Sequence, residues 1–240
     1  MRIKHKLRTC LWKAGYDIFK FTPTSHPLAR RKRILESYEI DTVLDIGANA
    51  GQFAMELRED LDYKHRILSF EPLSTAFQLL QANSTGDAAW EVFNCAIGDA
   101  EEEREINIAE NSESSSLLRM LPSHQKFAPE SKYIGKEVIA INTLDSLFND
   151  LCETAKNVYM KIDTQGFESR VLKGAENSLM HIDTIQMEMS LVPLYDGELL
   201  LNEMLALMAN KGYTLVAIEP GFSDPASGQL LQLDGIFHRF

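Results

Sequence analysis

The sequence predicts an α/β fold: a mostly parallel sheet with helices on both faces and an antiparallel strand near the end. Three observations predict it. Short apolar runs alternate with amphipathic helical stretches through most of the chain, the pattern of a sheet wrapped on both faces. The stretch "TVLDIGANAGQF" (42–53) runs Val43, Leu44 and Ile46, with Asp45 among them, into a turn with two glycines, then turns helical. Near the end, two strand-like segments follow one another with no helix between them.

The elements follow in order. "DTVLDIG" (41–47) reads as a buried strand and "QFAMELRED" (52–60) as a helix. "RILSFEP" (66–72) is a strand stopped by Pro72, and "STAFQLLQAN" (74–83) a helix with Ser74 as N-cap. "EVFNCAIG" (91–98) is a third strand; "REINIAE" (104–110) and "EVIAIN" (137–142) alternate like a side hairpin or edge strands. "TLDSLFNDL" (143–151) is a short helix, "NVYMKID" (157–163) a strand, and "FESRVLKGAENSLM" (167–180) a helix. "DTIQMEMS" (183–190) is a strand, and "ELLLNEMLALMANKG" (198–212) a helix capped by Gly212. "YTLVAIEP" (213–220) and "QLLQLDGIFHR" (229–239) close the sheet. "NSESSSLLRM" (111–120) reads as a loop, and Ser114–Ser116 suit either a lid over an acceptor or a plain connection.

With 240 residues, 45% hydrophobic and 25% charged, the chain is an ordinary globular one. No apolar run is long enough to span a membrane, and no signal peptide is recognisable behind the basic N-terminus. Cys10, Cys95 and Cys152 are far apart, with no CxxC, so neither a zinc site nor a disulfide framework is expected, and a cytoplasmic setting fits. The histidines are scattered and no metal site is expected; His124 and His238 read as structural, and "EEE" at 101–103 as a solvated turn. The net charge of −11 is uneven: residues 1–33 hold ten Lys or Arg against the single acid Asp17, and the remainder holds 14 basic and 34 acidic residues. A basic extension, residues 1–33, is therefore expected ahead of a domain over 34–240 whose acidic body repels nucleic acid. Within the extension, Ile3, Leu7, Cys10, Leu11, Ala14 and Ile18 recur at helical spacing. Residues 1–21 thus read either as a helix lying on an anionic membrane surface or as one docked on the domain.

The glycine turn sets the ligand class. A dinucleotide fingerprint needs glycine where Asn49 stands, and no G-K-[ST] follows for a P-loop. A nucleoside-like ligand without a pyrophosphate remains. Glu71, at the end of the next strand, is placed to accept from ribose hydroxyls. Together with Asp45 it suits a cationic ligand, and S-adenosyl-L-methionine is a sulfonium. The competing reading of Gly47 and Gly51 is tight strand-to-helix packing.

"VLDIGANAGQFA", "SFEPL", "NCAIGD", "SSSLL", "YMKIDTQGFESRVLKGA" and "IQMEMSLVPLYDG" together resemble the FkbM family of S-adenosylmethionine-dependent methyltransferases, from about Asp41 to Arg239. The resemblance implies a Rossmann-like class I methyltransferase fold, a seven-stranded sheet with an antiparallel seventh strand. It also implies methylation of a hydroxyl on a sugar, glycan or secondary metabolite. Residue by residue, it implies that Asp45, Gly47, Asn49 and Gly51 form the cofactor loop and that Glu71 binds the ribose. It further implies that Ala96 meets the adenine and that Asp163 is the acid ending the fourth strand. A hydroxyl nucleophile benefits from a base, for which Asp163, Glu168 and Glu188 are candidates. Glu188 and Asp163 are the expected catalytic pair, though Asp163 suits holding the cofactor's amino group as well as acting as base, and Glu168 is equally suited to stabilising its helix N-terminus. Tyr195 and Ser115 are expected to meet the acceptor, with packing of the Tyr195 ring as the competing reading. A nicotinamide-dependent oxidoreductase and a non-catalytic cofactor-binding protein are the alternatives.

Overall fold

The computed structural model describes residues 2–240, with side chains described from Arg8 onward. The chain forms two units, one running to Tyr38 and the other from Glu39 to Phe240. The first unit contains α1 (Arg2–Lys13) and α2 (Pro27–Ser37). The Ile3 and Leu7 positions of the anticipated apolar stripe lie outside the described side chains. The helix also stops earlier than the stripe requires. Gly15, at φ +82°, closes it, with Gly15 N–H donating to Trp12 O and Tyr16 N–H to Leu11 O.

The second unit is built on a seven-stranded sheet. Its strands are β1 (Thr42–Ile46), β2 (Arg66–Phe70), β3 (Trp90–Phe93), β7 (Val158–Ile162), β8 (Thr184–Ser190), β9 (Thr214–Pro220) and β10 (Gln232–His238), in the order β3-β2-β1-β7-β8-β10-β9. All neighbours are parallel except β10, which runs antiparallel to both β8 and β9. The helices are α3 (Gln52–Glu59), α4 (Ser74–Ser84), α5 (Pro122–Phe127), α6 (Leu144–Cys152), α7 (Glu168–Lys173) and α8 (Leu201–Asn210). Three further strands, β4 (Ala96–Ile97), β5 (Glu102–Ala109) and β6 (Tyr133–Asn142), make a separate small sheet.

Strand alternation sorts the side chains of the large sheet. Leu44 and Ile46, Leu68 and Phe70, Met160 and Ile162, and Met187 and Met189 share one apolar cluster with Phe148 of α6 and Met204 and Met208 of α8. The intervening positions carry Asp45, Ser69, Lys161 and Glu188 to the other face. The order reverses at β1, which has β2 on one side and β7 on the other, so the crevice beyond the ends of β1 and β7 is where such a sheet takes a ligand.

Several expected boundaries shift for identifiable reasons. The run 91–98 splits into β3 and β4 because Asn94 turns its amide onto the carbonyls of Glu71 and Pro72, and β4 pairs with β6 instead. The helix expected over 167–180 ends at Lys173: a side chain at Gly174 would overlap the carbonyl of Gly98. Ser74 is the first helical residue, not the cap, and bonds Glu137 through its backbone N–H and its hydroxyl. Gly212, at φ +84°, ends α8 as expected, with Gly212 N–H donating to Ala209 O and Tyr213 N–H to Met208 O. The elements α2 and α5, both opened by proline, were not anticipated.

Candidate active site

The turn from β1 into α3 is a tight cradle. The N–H groups of Gly47 and Ala48 both donate to Phe70 O at 3.0 Å. Gly47 sits at φ +80°, and any Cβ there would overlap the carbonyl oxygen of Asp163. Asn49 is also left-handed, at φ +46°, a conformation asparagine tolerates better than most residues. Its N–H donates to Glu71 Oε2 at 2.8 Å and its amide reaches Ser112 Oγ at 3.2 Å. Gly51, at φ +91°, serves packing: a Cβ would lie 2.7 Å from the Trp90 ring.

Beside this turn lies a cavity of about 350 Å³. One part is apolar, lined by Phe70, Leu73, Ala96, Ile97, Ile106 and Leu117. Glu71 borders it. Both Glu71 oxygens already hold the backbone: Oε2 accepts from Asn49, and Oε1 accepts from Leu73 N–H at 2.8 Å. Burial pushes its pKa up to about 7 against the pull of these two bonds. Each oxygen keeps a second lone pair for a ligand.

The far part of the cavity is ionic. Lys161 lies 3.3 Å from Asp163 Oδ2 and 3.7 Å from Asp45 Oδ1, with its ammonium 5.6 Å from the centroid of the Phe53 ring. Burial opposes its charge, but Asp163 and Asp45 outweigh that and raise its pKa. Asp45 is fully buried, and burial raises its pKa against the field of Lys161. Its Oδ2 accepts from Ser69 Oγ at 3.2 Å, and Ser69 in turn accepts from the Trp90 indole at 2.9 Å. Asp45 therefore lies beneath the cavity rather than in its lining, and its bonds point into the sheet.

Gln165, in the β7–α7 turn at φ +54°, joins the two candidate catalytic acids. Its amide nitrogen donates to Asp163 Oδ1 at 2.8 Å and to Glu188 Oε2 at 2.9 Å. Its amide oxygen accepts from the Tyr195 hydroxyl at 2.7 Å, and its backbone carbonyl from Ser116 Oγ at 2.7 Å. Glu188 Oε2 also accepts from Gln232 Nε2 at 2.6 Å. Burial, then the neighbouring Asp163, Glu168 and Asp234, raise Glu188 well above the ordinary carboxylate range. Glu168 serves its own turn: Oε1 accepts from the N–H groups of Thr164 and Gly166 and from the Thr164 hydroxyl. Burial lifts its pKa to about 7.

The structure thus brings Gly47, Asn49, Glu71, Ala96, Ser115, Asp163 and Glu188 to one cavity. Asp45, Gly51, Glu168 and Tyr195 lie outside the lining. Tyr195 stands behind it, almost fully buried, in a turn fixed by Glu198, which accepts the N–H groups of Leu194 and Tyr195. The Ser114–Ser116 stretch is bonded in place, with Ser115 Oγ accepting from Ala109 N–H and Glu113 accepting from Gln52 of α3. Sequence reasoning missed Lys161 and Gln165. Lys161 had a signal, a charge inside the apolar run "VYMKI". Gln165 had none, since beyond the nearby Asp163 its side-chain partners Glu188 and Tyr195 lie 23 and 30 residues away in sequence. Among the described residues no group of three His, Cys, Asp or Glu side chains is arranged to hold a metal ion.

A doubly wound sheet with one antiparallel strand and a cradle at its switch point defines a Rossmann-like methyltransferase architecture. The chain belongs to the FkbM family: residues 45–215 match the Methyltransferase FkbM domain. No curated protein matches the chain. Among solved structures it is similar to methyltransferase FkbM from Methylobacillus flagellatus KT, at 16% identity and TM-score 0.49, over 82% of this chain and 44% of that one. The chain therefore spans less than half the length of that relative. It is also similar to TehB from Haemophilus influenzae, at 8% identity and TM-score 0.46, over 86% of this chain and 60% of that one. A third similarity is to LepI, solved in complex with SAM, at 14% identity and TM-score 0.45, over 94% of this chain and 50% of that one.

Proposed function

We propose that this methyltransferase is an O-methyltransferase acting on a hydroxyl of a sugar, glycan or secondary-metabolite acceptor. Its methyl donor is S-adenosyl-L-methionine, and the cavity fits that group. The apolar slot between Leu73 and Ile97 suits a flat base, Glu71 has lone pairs for two ribose hydroxyls, and the acidic far end suits a cation. When bound, this cofactor supplies an electrophilic methyl on sulfur and leaves as S-adenosylhomocysteine.

The observation that carries the reading is the Glu188–Gln165–Asp163 cluster in the same cavity as Glu71. A hydroxyl is a weak nucleophile, and a positioned base is worth roughly 10²–10⁴-fold. Glu188 fits that task. Its two amide bonds both fall on Oε2, and its raised pKa makes it a stronger proton acceptor than an ordinary carboxylate. It receives the acceptor's proton as the acceptor oxygen bonds the methyl carbon. Asp163, paired with Lys161, supplies fixed negative charge beside it. Placement of the two reactants supplies the rest of the acceleration. The test is turnover with S-adenosylmethionine on a library of hydroxylated glycans and metabolites, with amine analogues alongside, and mass spectrometry of the products. A methyl ether is the expected product; a methylated nitrogen, or binding of NAD in place of S-adenosylhomocysteine, overturns the reading.

A further inference from the structure

The described residues include twelve large apolar side chains that are markedly exposed, and five of them, Trp12, Tyr16, Ile18, Phe19 and Phe21, fall within ten residues of sequence. Single exposed apolar residues need no explanation, but a cluster does. Each of the five is between 49% and 70% exposed.

The segment is built rather than loose. Arg8 of α1 makes a two-pronged ion pair with Asp17, both bonds at 2.9 Å. Its guanidinium lies 5.1 Å from the Trp12 ring centroid and 5.3 Å from that of Phe19. Asp17 also accepts from Ile18 N–H at 2.8 Å and takes a hydrogen bond from the Trp12 side chain. The clamp brings the chain after Gly15 back against the end of α1. It also neutralises the one acid among the ten Lys and Arg of residues 1–33.

We infer that the segment carrying the exposed Trp12, Tyr16, Ile18, Phe19 and Phe21 docks on an anionic lipid surface. Aromatic side chains with a polar edge favour the membrane interface, and basic residues beside them draw anionic headgroups. The charge distribution favours this segment as the contact. The remainder of the chain holds 34 acidic against 14 basic residues and is repelled by the same surface. No helix among the described residues is long and apolar enough to cross a membrane. The inference is independent of how the cavity is read.

Trp12 is the natural reporter, because the second tryptophan, Trp90, is buried. The full chain is titrated with vesicles of phosphatidylcholine alone and of phosphatidylcholine mixed with phosphatidylglycerol. Trp12 emission should shift to the blue and be quenched by brominated lipid on the anionic vesicles at low salt, with high salt weakening the response. The double variant Ile18→Ser/Phe21→Ser leaves the Arg8–Asp17 clamp and Trp12 in place. It should need at least about tenfold more lipid for the same response. S-adenosylhomocysteine affinity serves as the control for folding and should not change. Three outcomes overturn the inference: no response to anionic vesicles, an equal response to neutral ones, or a double variant that binds as wild type. A wild type that gel filtration shows as a dimer, and that ignores vesicles, would assign the segment to self-association instead.

Discussion

Glu71 ties ligand affinity to pH. In the free protein, burial holds its pKa up at about 7 while two backbone N–H groups already occupy one lone pair on each oxygen. Ribose hydroxyls donate to the ionised form, so ligand binding favours loss of the proton. About one pH unit below that pKa, only about a tenth of the sites are ionised, and affinity for S-adenosylhomocysteine should be about tenfold weaker than its plateau above neutrality. Calorimetry in buffers of different ionisation enthalpy should show about half a proton released per ligand near neutral pH. The free protein behaves oppositely. A carboxyl raised from 4.5 to about 7 in the fold contributes stability that is complete at acid pH and is lost as pH rises through about 7. That contribution is at most about 3 kcal/mol. Glu71→Gln separates this group from the other acids. Its amide nitrogen must face one of the N–H donors of Asn49 or Leu73, costing roughly 1–3 kcal/mol, and the pH dependence of affinity should flatten. An affinity that is level from about pH 6 to 8 in the wild type, or an unchanged slope in Glu71→Gln, refutes the reasoning.

Glu188→Gln keeps the side-chain shape but cannot take a proton, so kcat should fall by roughly 10²-fold or more with S-adenosylhomocysteine affinity preserved. The wild-type rate should rise with pH through the raised pKa of Glu188, and this limb should vanish in the variant. Lys161→Met strands Asp45 without its counter-charge and should cost about 3–5 kcal/mol in urea unfolding. Its pH dependence has a definite sign: the loss should shrink at low pH, where the raised pKa of Asp45 lets it become neutral. Tyr195→Phe removes the hydroxyl that donates to Gln165 Oε1 and approaches Ser114 O, worth about 0.5–1.5 kcal/mol. It should lower turnover through Glu188 while leaving cofactor affinity intact; equal loss of both would mean that Tyr195 supports the whole cavity.

The alternation of strands and helices was legible because each buried strand is a short apolar run and each helix has one apolar stripe. The failures cluster where a distant segment decides local structure. Nothing in "VLKGAENSLM" announces that Gly174 meets the Gly98 carbonyl, yet that approach ends α7. The split of 91–98 depends on the Asn94 amide finding carbonyls more than twenty residues away. The site follows the same division. Gly47, Asn49 and Glu71 were readable because their conformations and spacing are local to one strand–turn–helix unit. Tyr195 was expected in the cavity and instead stands behind Gln165, since one residue type serves either place and only the β7–α7 turn decides.

Asp45 shows why identical residue types in one motif come to differ. It, Glu71, Asp163 and Glu188 are all acids at or near the ends of neighbouring parallel strands, and composition alone treats them as equivalent. The sheet places the buried cation Lys161 between Asp45 and Asp163 and away from the backbone donors that hold Glu71. Asp45 is committed to the interior by Ser69 and Lys161. Glu71 and Glu188, without such a close cation, are pushed toward the neutral form by burial. The cavity can therefore lower its charge when no cation is bound and recover it when one is. Four carboxylates otherwise repel one another strongly in so small a space. A lysine placed under the cradle makes an acidic site compatible with a stable fold.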